Sequence, residues 1–238
     1  MGMEEIMAET RKSFTLRSIV MMVLVVVVAP FIPMIVSGQW DWWQAWAYAL
    51  SSALAFVVSR MLAWRRHPDL LRERARFMDA EDTKPWDKVL APLLGLGSIL
   101  VLVVSGLDRY YGGSVAFSIS MSITALLGVV VGYGFSSWAL IENRFFSGTV
   151  RIQYERGHHV VSTGPYRIVR HPGYAGGLLG YLFIPILLDS LWAFIPTVLL
   201  GVVMIIRTGL EDKALQDELP GYKEFAQKTR YRLIPGVW

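Results

Sequence analysis

Four long apolar runs, at about 18–37, 45–63, 89–107 and 117–141, constrain this chain more than any other feature. Each reaches or nears the roughly 20 residues that a helix needs to cross about 30 Å of hydrocarbon. A backbone inside hydrocarbon must satisfy its polar groups internally, which leaves helices as the spanning structure. A fifth apolar block runs from Gly176 to Ile206, with Asp189-Ser190 near its middle. Unbroken, it would overrun the bilayer by a wide margin. The break therefore predicts a helical hairpin with arms of about 176–188 and 191–206. The fold class expected is all-α: a polytopic membrane helical bundle of about six transmembrane helices with a C-terminal helical hairpin. Composition agrees, since charged residues make up only 18% of the chain, against about 25% in a soluble domain.

The distribution of basic residues orients this bundle. Of 23 Lys and Arg, three precede the first run, eight lie from Arg60 to Lys88, five lie in 142–175 and six run from Arg207 onward. The remaining one, Arg109, sits between the third and fourth runs. By the positive-inside rule, both termini, loop 64–88 and segment 142–175 are expected to be cytoplasmic. The loops expected on the other side carry aromatics instead: Trp40, Trp42, Trp43, Trp46, Tyr110, Tyr111 and Trp192, which suit an interfacial belt. The first run is too long for the apolar core of a secretory signal. Loop 64–88 is charged and reads as a surface helix on the inner leaflet. The net charge of +4 then reflects topology and attraction to anionic membrane lipids, not nucleic-acid binding. With no cysteine in the chain, disulfides, thiolate catalysis and cysteine-ligated metals are excluded.

Two dense polar blocks flank the hairpin. The first runs from Gln153 to Gly176 and holds His158, His159 and His171 with Tyr166, Tyr174, Arg167 and Arg170. Gly164-Pro165 reads as a turn, and Pro172 biases His171 away from the helical region while suiting the first turn of the next helix. Gly173, Gly176, Gly177 and Gly180 would leave one side of that helix smooth, for packing or for ligand approach. The second block begins with Arg207 and Glu211, four residues apart on one helix face. They could pair with each other, or could hold a substrate anion and a cofactor group. A hairpin turning at Asp189 brings both blocks together at one membrane face. The histidines lack an HxxxH or HExxH spacing, so no metal site is expected. No GxGxxG or Walker A sequence is present either. The chain thus divides into an N-terminal four-span region, 1–141, with loop 64–88, and a chemistry-bearing region, 142–238.

The ordered set GPYRIVRHPGYAGG, then R-x-x-x-E-D-x-x-L, then GYKEF and RYRLIPG resembles the isoprenylcysteine carboxyl methyltransferase family, and more distantly the phospholipid N-methyltransferases. The likeness covers about 142–238, with N-R-F-F-S at 143–147 also similar. Arg66-His67-Pro68 lacks the Tyr and Gly partners of that motif and is read as a decoy. The resemblance implies S-adenosylmethionine bound in a cytoplasmic pocket over the hairpin. By position, Gln153, His158, Val161, Tyr166 and His171 would contact this cofactor. So would Pro172, Gly173, Tyr174 and Glu211. Arg207 would orient the acceptor carboxylate, making Arg207 and Glu211 the catalytic pair. Asp212 stands where the family often has a second Glu, and Phe225 where a Tyr is frequent.

The chemistry suits those residues. A carboxylate acceptor is ionised at neutral pH and needs no strong base, so orientation and exclusion of water would carry the rate. An amine or thiol acceptor would need a base, with His171 or Glu211 as candidates. The acceptor is expected to be lipophilic or prenylated. Two other classes fit parts of the pattern: an NADPH-dependent sterol-type reductase, with Arg167 and Arg170 near a 2′-phosphate, and a non-catalytic membrane or lipid-binding protein.

Overall fold

The computed structural model describes residues 24–75 and 82–238. Arg11, Lys12, Arg17, the start of the first apolar run and part of loop 64–88 lie outside the described residues. Among the described residues the fold is entirely helical. The elements are α1 (Ile32–Ser37), α2 (Trp43–Arg66), α3 (Pro68–Ala75), α4 (Asp87–Tyr110), α5 (Ile119–Glu142), α6 (Pro172–Leu187), α7 (Phe194–Glu218) and α8 (Tyr222–Lys228). Helices α2, α4, α5 and α7 are each long and apolar enough to cross a membrane. Helix α6, with 16 residues, is shorter and spans roughly 24 Å. The first apolar run differs from the regular helix expected. Over Leu24–Val28 it forms a π-helical turn, then the 3-10 turn Ala29–Phe31, then α1. Pro30 and Pro33 explain the interruption, because each removes a backbone donor that a continuous helix would use.

The hairpin is present and pinned at its turn. Asp189 adopts φ 50°. Its carboxylate accepts from the Phe117 N–H at 3.0 Å and from Gln44 Nε2 at 2.8 Å. These two bonds gather the first turn of α2 and the α4–α5 connection around the hairpin turn, so all three lie at one end of the bundle. Trp40, Trp46, Tyr110, Tyr111 and Trp192 are exposed there, as an interfacial belt requires. Trp42 does not join them. It is 2% exposed and belongs to the core with Met34, Tyr48, Val101, Val129 and Ile184.

Helices α5 and α6 cross in close contact through glycine. A Cβ on Gly176 would stand 2.5 Å from the Gly132 carbonyl oxygen, and one on Gly132 would stand 2.5 Å from the Gly180 nitrogen. Gly176 and Gly180 therefore serve helix packing. Outward faces carry exposed apolar side chains such as Leu54, Leu127, Val198 and Leu199, the surface a hydrocarbon solvent calls for.

Helix α7 continues past the apolar block to Glu218, so Arg207 and Glu211 ride on an unbroken rod. After α8 the chain folds back: the Tyr231 and Arg232 carbonyls accept from the Arg170 and His171 N–H groups at 2.9 and 3.0 Å. Segment 64–88 becomes helical over α3, as expected. It also turns two residues, Arg74 and Asp87, into the interior beneath the hairpin's far end. A wholly surface role for this segment is thereby corrected.

Candidate active site

At the end of the bundle opposite Asp189 lies a cavity of about 240 Å³. Its walls come from both polar blocks. His158, Val161, Tyr166, His171, Gly173 and Tyr174 line it from the first, and Arg207 and Glu211 from α7. Eight of the residues singled out in the sequence thus converge. Gln153 and Pro172 do not line the cavity. Gln153 is 1% exposed; its amide donates to the Phe145 carbonyl at 2.9 Å, its oxygen accepts from Arg156, and its N–H donates to His158 Nδ1 at 3.3 Å. It therefore supports the wall from behind. Pro172 is buried at the first turn of α6, where its missing N–H costs nothing.

Arg207 and Glu211 do not pair with each other. Arg207 grips Asp87, Nε to Oδ1 at 2.6 Å and Nη2 to Oδ2 at 2.9 Å, and Nη2 also reaches the Gly148 carbonyl at 3.0 Å. Asp87 is fully buried and further accepts from the Val150 N–H at 2.6 Å. Such a fork-to-fork pair fixes a guanidinium plane more firmly than a single contact does. It leaves Nη1 without a hydrogen-bond partner among the described residues, while the guanidinium carbon stands 5.5 Å from the centre of the Tyr174 ring. Glu211 accepts from the Tyr174 hydroxyl at 2.6 Å. No cation lies within ion-pair distance of it among the described residues. The site therefore combines a neutralised Arg–Asp pair with a carboxylate that has only a neutral partner.

A second network holds His171. Asp212, fully buried, accepts from Arg170 Nε and Nη2 at 2.7 and 3.0 Å and from Arg232 Nε at 2.8 Å. It also accepts from the Tyr222 hydroxyl at 3.1 Å. His171 Nε2 stands 3.2 Å from the same carboxylate. An acceptor-only carboxylate assigns the ring proton to Nε2, so this nitrogen is committed as a donor and is not available as a base. The shorter acid at position 212 fits this hub, with two guanidiniums closing on it.

Loop residues set the remaining wall. His158 stacks on Phe145 with ring centres 4.5 Å apart. Burial, and then the neighbouring His159, push the His158 pKa down to about 4, so the ring is neutral at physiological pH. Burial raises the Tyr166 phenol well above its ordinary value; its oxygen accepts from Asn143 Nδ2 at 3.1 Å. Burial opposes ionisation of Asp69, but the guanidiniums of Arg156 and Arg144 outweigh it and hold the pKa at about 2. That ion cluster ties α3 to the loop after α5. His67, in the decoy motif, lines neither this cavity nor the larger one beside it.

The sequence did not single out Asp87, Arg74 or Tyr222. Asp87 opens an apolar helix, a place where acids are common for dipole reasons alone, so only its burial distinguishes it. Arg74 sits in a charged run and carries no motif. Tyr222 lies in the recognised GYKEF stretch, which offered the one usable signal.

Residues 120–219 match the family model described as phospholipid methyltransferase. Proteins of Oryza sativa subsp. indica and subsp. japonica, each named probable protein-S-isoprenylcysteine O-methyltransferase, are 37% identical over 60 residues, 25% of this chain and 31% of theirs. The chain thus spans about a third of the length of the curated relatives it matches. The matched region runs from α5 through α7, and so contains the hairpin, the loop with its histidines, and the Arg207–Glu211 helix. Reductase and non-catalytic readings are not favoured by these likenesses. Over this region the chain is similar to the phospholipid methyltransferase family and, across 60 residues, to proteins named for isoprenylcysteine O-methylation.

Proposed function

We propose that this protein moves a methyl group from S-adenosylmethionine to a lipophilic acceptor, a carboxylate such as that of isoprenylcysteine. The observation that carries the reading is Glu211, a carboxylate lining the cavity, paired among the described residues only with a tyrosine hydroxyl and one helical turn from a guanidinium. A cationic ligand with hydroxyl groups satisfies such a carboxylate, and S-adenosylmethionine carries a sulfonium, an ammonium and a ribose. When bound, it supplies a methyl group already activated for displacement. Glu211, Tyr174, His171, Gly173, Tyr166, Val161 and His158 would hold it, with Gln153 and Pro172 supporting the wall. Arg207, fixed by Asp87, would orient the acceptor carboxylate through its remaining Nη1. Acceptor and donor would then meet with little water present, and orientation would supply most of the rate.

The same reading puts the cavity and both termini on the cytoplasmic side, following the basic loops. Calorimetric titration of the detergent-purified protein with S-adenosylmethionine, and separately with NADPH, tests the assignment. Saturable binding of the first, weakened at least about tenfold in Glu211→Gln by loss of a charged partner, is the expected result. Binding of NADPH alone, or equal S-adenosylmethionine affinity in Glu211→Gln, would overturn it.

A further inference from the structure

Beside the first cavity lies a second, of about 710 Å³, between α2, α4 and α5 and the segment 24–32. The two share a wall made by Arg74 and Phe146. The second cavity is mostly apolar, with Ile99, Leu102, Leu140 and Phe56 among its walls. Yet two guanidiniums line it, Arg60 near the end of α2 and Arg74 on α3.

Their surroundings are unusual for this molecule. The other arginines packed near the site each carry a carboxylate: Arg207 with Asp87, Arg170 with Asp212, Arg151 with Glu73, Arg156 with Asp69. Arg60 donates to Ser59 Oγ at 2.9 Å and lies 4.0 Å above the Phe56 ring. Arg74 donates to the Phe146 carbonyl at 3.2 Å and lies 5.4 Å from the centre of that ring. Neither has a carboxylate partner among the described residues. They are near enough to repel each other, and Arg74 also feels Arg207. Burial, then the Arg207 charge, lower the Arg74 pKa to about 10, which still leaves it charged at neutral pH. Partly buried like charges held together without a counter-ion are costly. A bound anion removes that cost.

We infer that Arg60 and Arg74 form an anion-holding site in the larger cavity, which Arg74 joins to the first, and that this site takes the head group of a lipophilic acid whose apolar tail fills the rest of the larger cavity. This rests on the methyl-transfer reading only for its consequence. Arg60 and Arg74 form a cationic path from the apolar cavity towards Arg207 and Glu211. On transfer, a carboxylate oxygen forms the new bond to the methyl carbon, the carbon–sulfur bond breaks, and its electron pair stays on sulfur. Sulfonium and carboxylate thereby become neutral thioether and neutral ester. The ester has lost the charge that draws the acid past Arg60 and Arg74 towards Arg207, so the path that admits the acid does not retain its product.

The test is calorimetry on the full chain in a nonionic detergent at about pH 8.5, where a carboxylic acid is ionised. The probes are oleate, methyl oleate and dioleoyl phosphatidate. Oleate is expected to bind about 10- to 150-fold tighter than methyl oleate, the range for a charged hydrogen-bonded group. Arg74→Gln and Arg60→Gln should each erode that preference, and Arg74→Lys should keep part of it, with thermal midpoints confirming that each variant is folded. Equal binding of acid and ester, or an intact preference in both glutamine variants, would overturn the inference. Phosphatidate binding as tightly as oleate would identify a lipid head group as the occupant, and weaker phosphatidate binding a free acid. Wild-type protein that prefers oleate but fails to bind S-adenosylmethionine keeps this site and removes the proposed function. The reverse pattern does the opposite.

Discussion

Replacing Asp87 by Asn tests the Arg207 assignment at its support. The carboxylate is fully buried and takes two hydrogen bonds from Arg207 and one from the Val150 N–H. Asparagine keeps the shape and one acceptor but removes the charge, which leaves the 6%-exposed Arg207 as an uncompensated cation beside Arg74. Breaking a buried pair from one side costs about 3–5 kcal/mol. At about 2–4 °C per kcal/mol for a chain of this size, the thermal midpoint in detergent should fall by roughly 6–20 °C. The matching experiment is a double-mutant cycle with Arg207→Gln. Removing both partners should cost less than the sum of the single losses, with a coupling of about 1–3 kcal/mol. Additive losses, or an unchanged midpoint in Asp87→Asn, would refute the pairing. The freed Arg207 can also reach for Glu211 one turn away, so S-adenosylmethionine affinity should drop in Asp87→Asn.

Gly176→Ala should destabilise the α5–α6 crossing by about 1–3 kcal/mol through overpacking, whereas Gly134→Ala on α5, with open space at its Cβ, should be neutral or stabilising; similar thermal midpoints for the two would contradict the crossing geometry. Asp212→Asn strands two guanidiniums and frees His171, so it should lower both the midpoint and cofactor affinity, while Tyr222→Phe, which removes one donor to the same carboxylate, should cost about 1 kcal/mol; equal losses would show that Asp212 is not the hub. The His158 pKa lies at about 4, below the ordinary 6.5, so the unfolded chain takes up the proton first as pH falls. Stability from this group is therefore intact above pH 6.5 and is lost progressively towards about pH 4. His158→Phe keeps a ring against Phe145 and should flatten the dependence of the thermal midpoint on pH across that window. An unaltered slope would show that His158 is not buried as described.

Much of the fold was legible because hydrocarbon allows so few answers. Run lengths gave the long helices, and the Asp189 interruption gave the hairpin. Pro172 marked the start of α6. Prolines at 30 and 33 are equally visible in the sequence, and they break the end of the first run into short turns. The converging residues from His158 to Glu211 were legible through their order along the chain. What stayed hidden was the choice among partners. Spacing of four on one helix face makes Arg207 and Glu211 neighbours, but it cannot say that a buried acid 120 positions earlier binds the guanidinium more closely. Gln153 and Pro172 show the same limit, since a position in a motif does not decide which side of a wall a side chain occupies. Trp42 fell to the core for a related reason: aromatic content in a short connection suits an interface, while packing against Met34 and its neighbours is a property of three dimensions.

The Asp87–Arg207 bond also bears on how the chain is made. Synthesis delivers α4, with Asp87 at its head, well before α7 emerges. The acid is therefore in place when Arg207 arrives, and the late helix enters an interior that already contains its counter-charge. A fragment cut to the family-matched stretch 120–219 would carry the histidines, the hairpin and Glu211, yet lack Asp87. The segment most easily recognised is thus not a portable module, because an early helix supplies the charge that lets its key arginine be buried.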